Sequence, residues 1–181
     1  MNNPFDALDS GAGAYFSWGS QANAWKIDGA EVQLTGFLID PASLKTGFGK
    51  LATGEAPDWV WAEIPGTKMT PPSDEHKAAV YVDVYVTEAD GALSEGWKPW
   101  ATNAAASRTA LKAIWGEIHA GAAKNKGKVA AVKVTGSESV KMGPATVRVP
   151  QLEVTGFVDR PGDAAVEQPS PSSDDGDDDL F

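Results

Sequence analysis

The sequence contains no cysteine and only two histidines among its 181 residues. Without cysteine there can be no disulfide, thiol nucleophile or Cys-ligated zinc, so packing must stabilise the fold. His76 and His119 provide little material for a metal site or a His-paired nucleophile, and we expect both to be structural. The sequence therefore predicts a protein that is not an enzyme and has no cofactor and no metal site.

Long apolar runs are also missing from the sequence. It has no run of about 18 apolar residues, and its N-terminus, MNNPFDALDSGAGAYFSWG, lacks the basic and apolar regions of a signal peptide. We therefore expect a soluble, cytoplasmic protein. With 42% hydrophobic and 22% charged residues, the composition is typical of one globular domain with a single core.

Positive charge is scarce overall, since the formal net charge is −10. Residues 161–181 hold seven acidic residues and no Lys or Arg, which leaves 15 basic and 18 acidic residues in 1–160. Within that part, residues 98–160 hold ten basic residues and four acidic ones. The chain thus joins a basic second half to an acidic tail.

Short apolar segments separated by Gly, Pro, Asp and Ser clusters predict a strand-rich chain. The predicted strands cover residues 14–18, 31–39, 47–52, 59–64, 79–87, 127–135 and 146–158. Only NAAASRTALKAIWGEIHAG has helical periodicity, with Asn103 as the cap and Gly121 beyond the last turn. We expect a mainly β fold: an OB-like β-barrel of short antiparallel strands with one α-helix.

The domain boundary is predicted at residue 160. Residues 1–160 form the OB-like domain, whereas residues 161–181 carry Pro, Ser, Asp and Gly in place of core-forming residues. Such a composition buries too little apolar surface to offset the entropy of ordering, so the sequence predicts a disordered acidic tail.

Four predicted strands share a design in which aliphatic side chains alternate with polar side chains and aromatic rings. In AVYVDVYVT, for example, the valines lie on one face, and Tyr81, Asp83 and Tyr85 lie on the other. The aromatic residues on the polar faces are Phe37, Trp59, Trp61, Tyr81, Tyr85 and Phe157. Two interpretations remain open: burial of both faces, or an exposed aromatic platform.

An aromatic platform is what single-stranded nucleic acid requires, because each base that stacks contributes about 1 to 3 kcal/mol without its sequence being read. The phosphates then require cations nearby. Candidates are Lys124, Lys126 and Lys128 in the loop KNKGK, together with Lys133 and Arg148 on strands. A solvated turn is the alternative interpretation of the loop lysines.

The last residues, DDGDDDLF, resemble the C-terminal tip of bacterial and phage single-stranded DNA-binding proteins, which is rich in Asp and ends in Phe. Leu180 stands where the bacterial proteins have Pro, so the tip is more similar to the phage proteins. The segments FLIDPASLKTGFGKL, DWVWAEIPG and VPQLEVTGFVDRP also resemble small phage DNA-binding proteins of the OB type.

This resemblance implies a protein of the host cytoplasm that binds and protects single-stranded DNA during replication, recombination or repair. It also implies that the tip binds partner enzymes of these processes and competes with DNA for the binding surface of residues 1–160. The tip residues are Asp177, Asp178, Asp179, Leu180 and Phe181.

Two other functions stay open from the sequence: an interaction module that mimics nucleic acid without binding DNA, and a β-rich phage structural protein. Edge strands can pair between copies of the chain, but Pro and charged residues on an edge strand prevent such pairing. A homo-oligomer is therefore possible, and the sequence leaves the oligomeric state open.

Overall fold

The computed structural model describes residues 15–87 and 95–162. The acidic tail from residue 163 onward lies outside these ranges, and the predictions made for it stay predictions. They include the partner-binding tip, Asp177, Asp178, Asp179, Leu180 and Phe181.

Strands dominate the described residues, and a short 3-10 helix, Pro41–Ser43, joins two of them. In chain order the elements are β1 (Phe16–Gly19), β2 (Ala24–Ile27), β3 (Ala30–Val32), β4 (Gly36–Ile39), β5 (Lys45–Lys50), β6 (Asp58–Trp61), β7 (Lys77–Val86), β8 (Gly96–Thr102), α1 (Ala105–Lys124), β9 (Lys128–Met142) and β10 (Ala145–Asp159).

Within residues 15–87 and 95–162 all strand pairs are antiparallel, and they belong to two sheets. The small sheet has the order β1-β2-β3, and the large one has the order β10-β9-β4-β7-β5-β6, with β8 on the other edge of β7. Among the described residues these features confirm the predicted mainly β fold with one α-helix, and they are consistent with an OB-like fold, although the predicted barrel is not closed. Within the described residues no hydrogen bonds join β10 to β6, so the sheet is open rather than a closed barrel.

The core lies between the inner face of the large sheet, the small sheet and α1. Alternation along β7 is as predicted, because Val82, Val84 and Val86 are fully buried and the residues between them are half-buried. The predicted helical stripe is also confirmed, since Leu111, Ile114 and Ile118 are buried and Trp115 packs against them. An aromatic cluster completes the core: Phe16, Trp25, Phe37 and Trp100.

The prediction that Phe37 contacts DNA is wrong, because its ring belongs to this core and is 3% exposed. Residues 31–39 were predicted to be one strand, in which Phe37 shares the polar face with Gln33. In the structure β3 ends at Val32 and β4 begins at Gly36. The residues between them are not extended in a strand, so the alternation does not continue across the gap and Phe37 faces inward.

Phe157, which was predicted to lie on the polar face with the DNA-binding aromatic residues, lies on the core-facing side instead, because a register shift between Val154 and Gly156 changes which face the ring occupies. An extra residue in one strand of a pair inverts the alternation of every residue that follows. Phe157 therefore packs against the core beneath α1, and Val158, which was predicted to face inward, is 40% exposed.

The boundaries of α1 differ from those predicted. Ala104 is the N-cap residue, while the Asn103 side-chain amide donates a hydrogen bond to the Gly49 carbonyl oxygen at 3.0 Å. At the other end the helix continues past Gly121 to Lys124, so this glycine is internal. Its role is steric, because the Phe157 ring occupies the space that a side chain at Gly121 would need.

We expect Gly121→Ala to lower the free energy of unfolding by about 1 to 3 kcal/mol, because overpacking forces neighbouring groups to move. An ideal Cβ at Gly121 would lie 2.0 Å from Cε2 of Phe157. The matched control is Gly116→Ala, where a Cβ meets nothing within 4 Å. It should stabilise the protein by about 0.5 to 1 kcal/mol through helix propensity. Denaturant unfolding measures both values, and an equal effect of the two changes would contradict the packing described.

Candidate nucleic-acid interface

Five half-buried aromatic side chains lie on the outer face of the large sheet, opposite the core. We call this the aromatic surface, and its members are Trp59, Trp61, Tyr81, Tyr85 and Trp97. Residues directly opposite each other on paired strands share a face, and Tyr85 is paired with Trp97 in this way. Trp59, Trp61, Tyr81 and Tyr85 were predicted from the sequence, and the structure brings them onto one face.

The tryptophans of β6 form a stack at one end of this surface. The ring centroids of Trp59 and Trp61 are 5.4 Å apart with an interplanar angle of 15°. The stack depends on the glycines of KTGFGK, because a Cβ at Gly49 would lie 2.1 Å from the Trp59 ring. Trp61 also contacts Tyr81 edge to face, with centroids 6.1 Å apart. These rings therefore form a row that crosses from β6 to β7 above β5.

Trp97, at the other end of the surface, was not predicted from the sequence. Its ring contacts Tyr85 edge to face with centroids 5.4 Å apart. The guanidinium carbon of Arg160 lies 4.3 Å from the Trp97 ring centroid, and the indole N–H donates to the Pro161 carbonyl oxygen at 3.1 Å. β8 contains Pro99, which argues against a strand, but the alternation in GWKPWAT was a usable signal.

Charges of both signs border the aromatic surface. Lys45, which the sequence analysis also missed, places its Nζ 4.7 Å from the Tyr81 ring centroid. The Tyr81 hydroxyl donates to Asp83 at 2.6 Å, and the Tyr85 hydroxyl donates to Glu95 at 2.8 Å. The two carboxylates oppose the approach of phosphate, so the rings and the cations must outweigh them if an anionic polymer binds here.

Burial, followed by the hydrogen bond to Asp83, raises the pKa of Tyr81 above its usual range. A raised pKa in the folded state means that the unfolded chain loses this proton first. We therefore expect the stability due to this group to be complete below about pH 10 and to be lost as pH rises further. Unfolding free energies measured from pH 9 upward should fall less steeply for Tyr81→Phe than for the parent. If the unfolding free energies of the two proteins fall with pH at identical slopes, the raised pKa of Tyr81 is contradicted.

An open groove of about 450 Å³ lies beside the row of rings. Trp61 and Tyr81 form its aromatic side, and Lys45, Glu63 and Asp83 provide its charges. The 3-10 helix contributes Ala42 and Ser43 to the opposite wall. The groove therefore offers ring faces and edges on which bases can stack, next to one cation and two carboxylates.

The predicted basic residues do not lie together in the structure. Lys126 and Lys128 line a hollow at the end of α1, whereas Lys124 is not among its lining residues. Lys133 is exposed opposite Gly36 of β4, on the same face of the large sheet as Tyr85. Arg148 lies where β9 and β10 extend beyond β4, and its carbonyl oxygen accepts the Trp18 indole N–H. Arg148 is therefore not part of the aromatic surface.

His76 joins the β6–β7 loop to the start of β6. Its Nδ1 lies 2.7 Å from Ser73 Oγ, and its Nε2 lies 3.0 Å from Asp58 Oδ2. The side chain is only 7% exposed. This chain of contacts holds the loop next to Trp59, which agrees with the structural role predicted for His76.

The chain matches no protein-family model, no curated protein and no solved structure. Within residues 15–87 and 95–162, no group of three His, Asp or Glu side chains is placed to hold a metal ion. In the same ranges no helix has the length and apolar character needed to cross a membrane.

Proposed function

We propose that this protein binds and protects single-stranded DNA without reading its sequence, and that it has no catalytic activity. The observation that carries the proposal is the row formed by Trp59, Trp61 and Tyr81, with Lys45 beside it. Every base has a π-face, so such a row binds bases of any identity, and each stacked base contributes about 1 to 3 kcal/mol.

Cations around the aromatic surface supply the electrostatic part of binding. Lys45 borders the groove at Tyr81, and Lys133 lies on the same face of the sheet. Arg160 contacts Trp97. With about four phosphates neutralised by these side chains and other basic residues in 1–160, the logarithm of the affinity falls with the logarithm of salt concentration at a slope near −3.

The acidic tip has a second role in this proposal, which also rests on its resemblance to phage single-stranded DNA-binding proteins. The tip competes with DNA for the aromatic surface, and once released it recruits replication, recombination or repair proteins. The structure supports the competition in one respect: Arg160 and Pro161 contact Trp97, so the acidic segment starts beside the aromatic surface.

Titration with poly-dT, followed by tryptophan fluorescence, tests DNA binding. We expect quenching at low salt, a site of about 4 to 16 nucleotides per domain and a slope near −3. Poly-dC should bind with similar affinity, because stacking does not distinguish bases. Absence of quenching at low salt would overturn the proposal and favour an interaction module that does not bind DNA.

A further inference from the structure

A hollow of about 560 Å³ at the C-terminal end of α1 is not used by the function proposed above. We call it the helix-end hollow. Its lining residues that matter here are Asp40, Trp115, Lys126, Lys128 and Arg160. Trp115 packs against the core on one side and provides an aromatic wall on the other.

The sequence builds this hollow by ending α1 with a tight turn. The backbone N–H and the side-chain amide of Asn125 both donate to the Gly121 carbonyl oxygen at 2.9 Å. Gly127 then adopts a φ of 78°, a conformation that glycine accepts without strain. The turn leaves Lys126 and Lys128, on either side of Gly127, lining the same hollow.

The 3-10 helix lies between the helix-end hollow and the groove beside the aromatic surface. Ala42 lines both the hollow and the groove beside Tyr81. The Asp40 N–H donates to the Asp83 carbonyl oxygen at 3.0 Å, so the start of the 3-10 helix is attached to β7 between the two tyrosines. Arg160 forms a second connection, because its guanidinium contacts both Trp97 and Asp40. A polymer on the aromatic surface can therefore pass directly into the hollow.

The charges in the hollow suit an anion. Asp40 is 8% exposed, and its carboxylate accepts hydrogen bonds from Arg160 and from the Ala42 N–H. This pairing compensates its charge. Lys128 is 3.9 Å from the exposed Asp159, a contact of little energetic weight, and Lys126 is exposed. Both ammonium groups can therefore bind phosphate.

We propose that single-stranded DNA longer than the aromatic surface continues over the 3-10 helix into the helix-end hollow. There its phosphates pair with Lys126 and Lys128, and a base contacts Trp115. This inference rests on the proposed function. It adds that binding has two parts: a short oligonucleotide occupies the aromatic surface alone, and a longer one also occupies the hollow.

The test compares dT4 and dT16 binding to the full chain and to the double variant Lys126→Ala/Lys128→Ala. We expect dT16 to bind the double variant about tenfold more weakly than the parent at low salt. Its salt slope should be shallower by about 1.4, because two phosphate contacts are lost. Binding of dT4 should not change. The matched control is Lys112→Ala/Lys141→Ala, which removes two exposed lysines outside the hollow and should change neither affinity.

A second readout uses Trp115→Phe, a conservative change that keeps an aromatic side chain. It should reduce the additional quenching that dT16 causes relative to dT4. If Lys126→Ala/Lys128→Ala weakens the binding of dT4 and dT16 equally, or weakens neither, the inference is overturned. In both cases quenching of the parent by dT4 leaves the proposed function standing. No quenching of the parent by either oligonucleotide would overturn both.

Discussion

Replacing Trp59 and Trp61 together by alanine is expected to weaken oligo-dT binding by about 2 kcal/mol or more, which is at least about 30-fold. The two rings are stacked and half-buried on the outer face of β6. Gly49 lies beneath Trp59, so no other side chain replaces the lost ring. Fluorescence anisotropy of a labelled oligonucleotide measures the affinity, because the tryptophan signal itself changes in this variant.

Two comparisons separate lost stacking from general damage. Trp59→Phe/Trp61→Phe retains two π-faces and should keep most of the affinity. Tyr15→Ala removes a 56% exposed ring next to the small sheet and should have no effect on binding. If the double alanine variant is folded, as judged by its unfolding transition, and binds as tightly as the parent, the aromatic surface is not the DNA site.

Deleting residues 172–181 is expected to strengthen oligo-dT binding about tenfold at low salt. The deletion removes five aspartates together with Leu180 and Phe181. A tethered competitor acts at an effective concentration near millimolar, so even a contact with a dissociation constant of about 0.1 mM would reduce DNA affinity by this factor. The same deletion should abolish capture of replication or recombination proteins.

Charge and apolar contributions of the tip can be separated by Leu180→Ser/Phe181→Ser, which leaves the aspartates in place. We expect an intermediate gain in DNA affinity at low salt. The effect of the full deletion should shrink as salt rises, because screening weakens the attraction between the aspartates and the basic body. An unchanged DNA affinity after deletion would count against competition by the tip and leave DNA binding by the body unaffected.

The carboxylates on the aromatic surface limit how strongly residues 1–160 can bind an anionic polymer. Asp83 and Glu95 both accept hydrogen bonds from tyrosine hydroxyls, so they orient the rings while opposing phosphate. Under the proposed function, stacking rather than net positive charge therefore supplies the specificity for single strands, since only unpaired bases expose their faces. A moderate salt slope is consistent with this balance.

Local periodicity in the sequence was sufficient to predict much of the fold. Alternation in β7 correctly placed its valines inside and its tyrosines outside, and helical spacing correctly identified the buried stripe of α1. The stacked pair Trp59 and Trp61 was also identified from a single strand. In each case the pattern extends through one unbroken element, so the direction of every side chain follows from its neighbours in sequence.

Pairing between strands that are distant in the sequence decided the side-chain directions that local periodicity did not predict. Phe37 and Phe157 face inward because a gap before β4 and a register shift in β10 interrupt the alternation, and both depend on how strands pair. Lys45 and Trp97 join the aromatic surface only through their partners on β7. By itself the sequence determined the β-rich class, the helix now designated α1 and most of the rings of the aromatic surface. Only the tertiary structure decided which rings share a face, because a shift of one residue in register moves a side chain to the other side of the sheet.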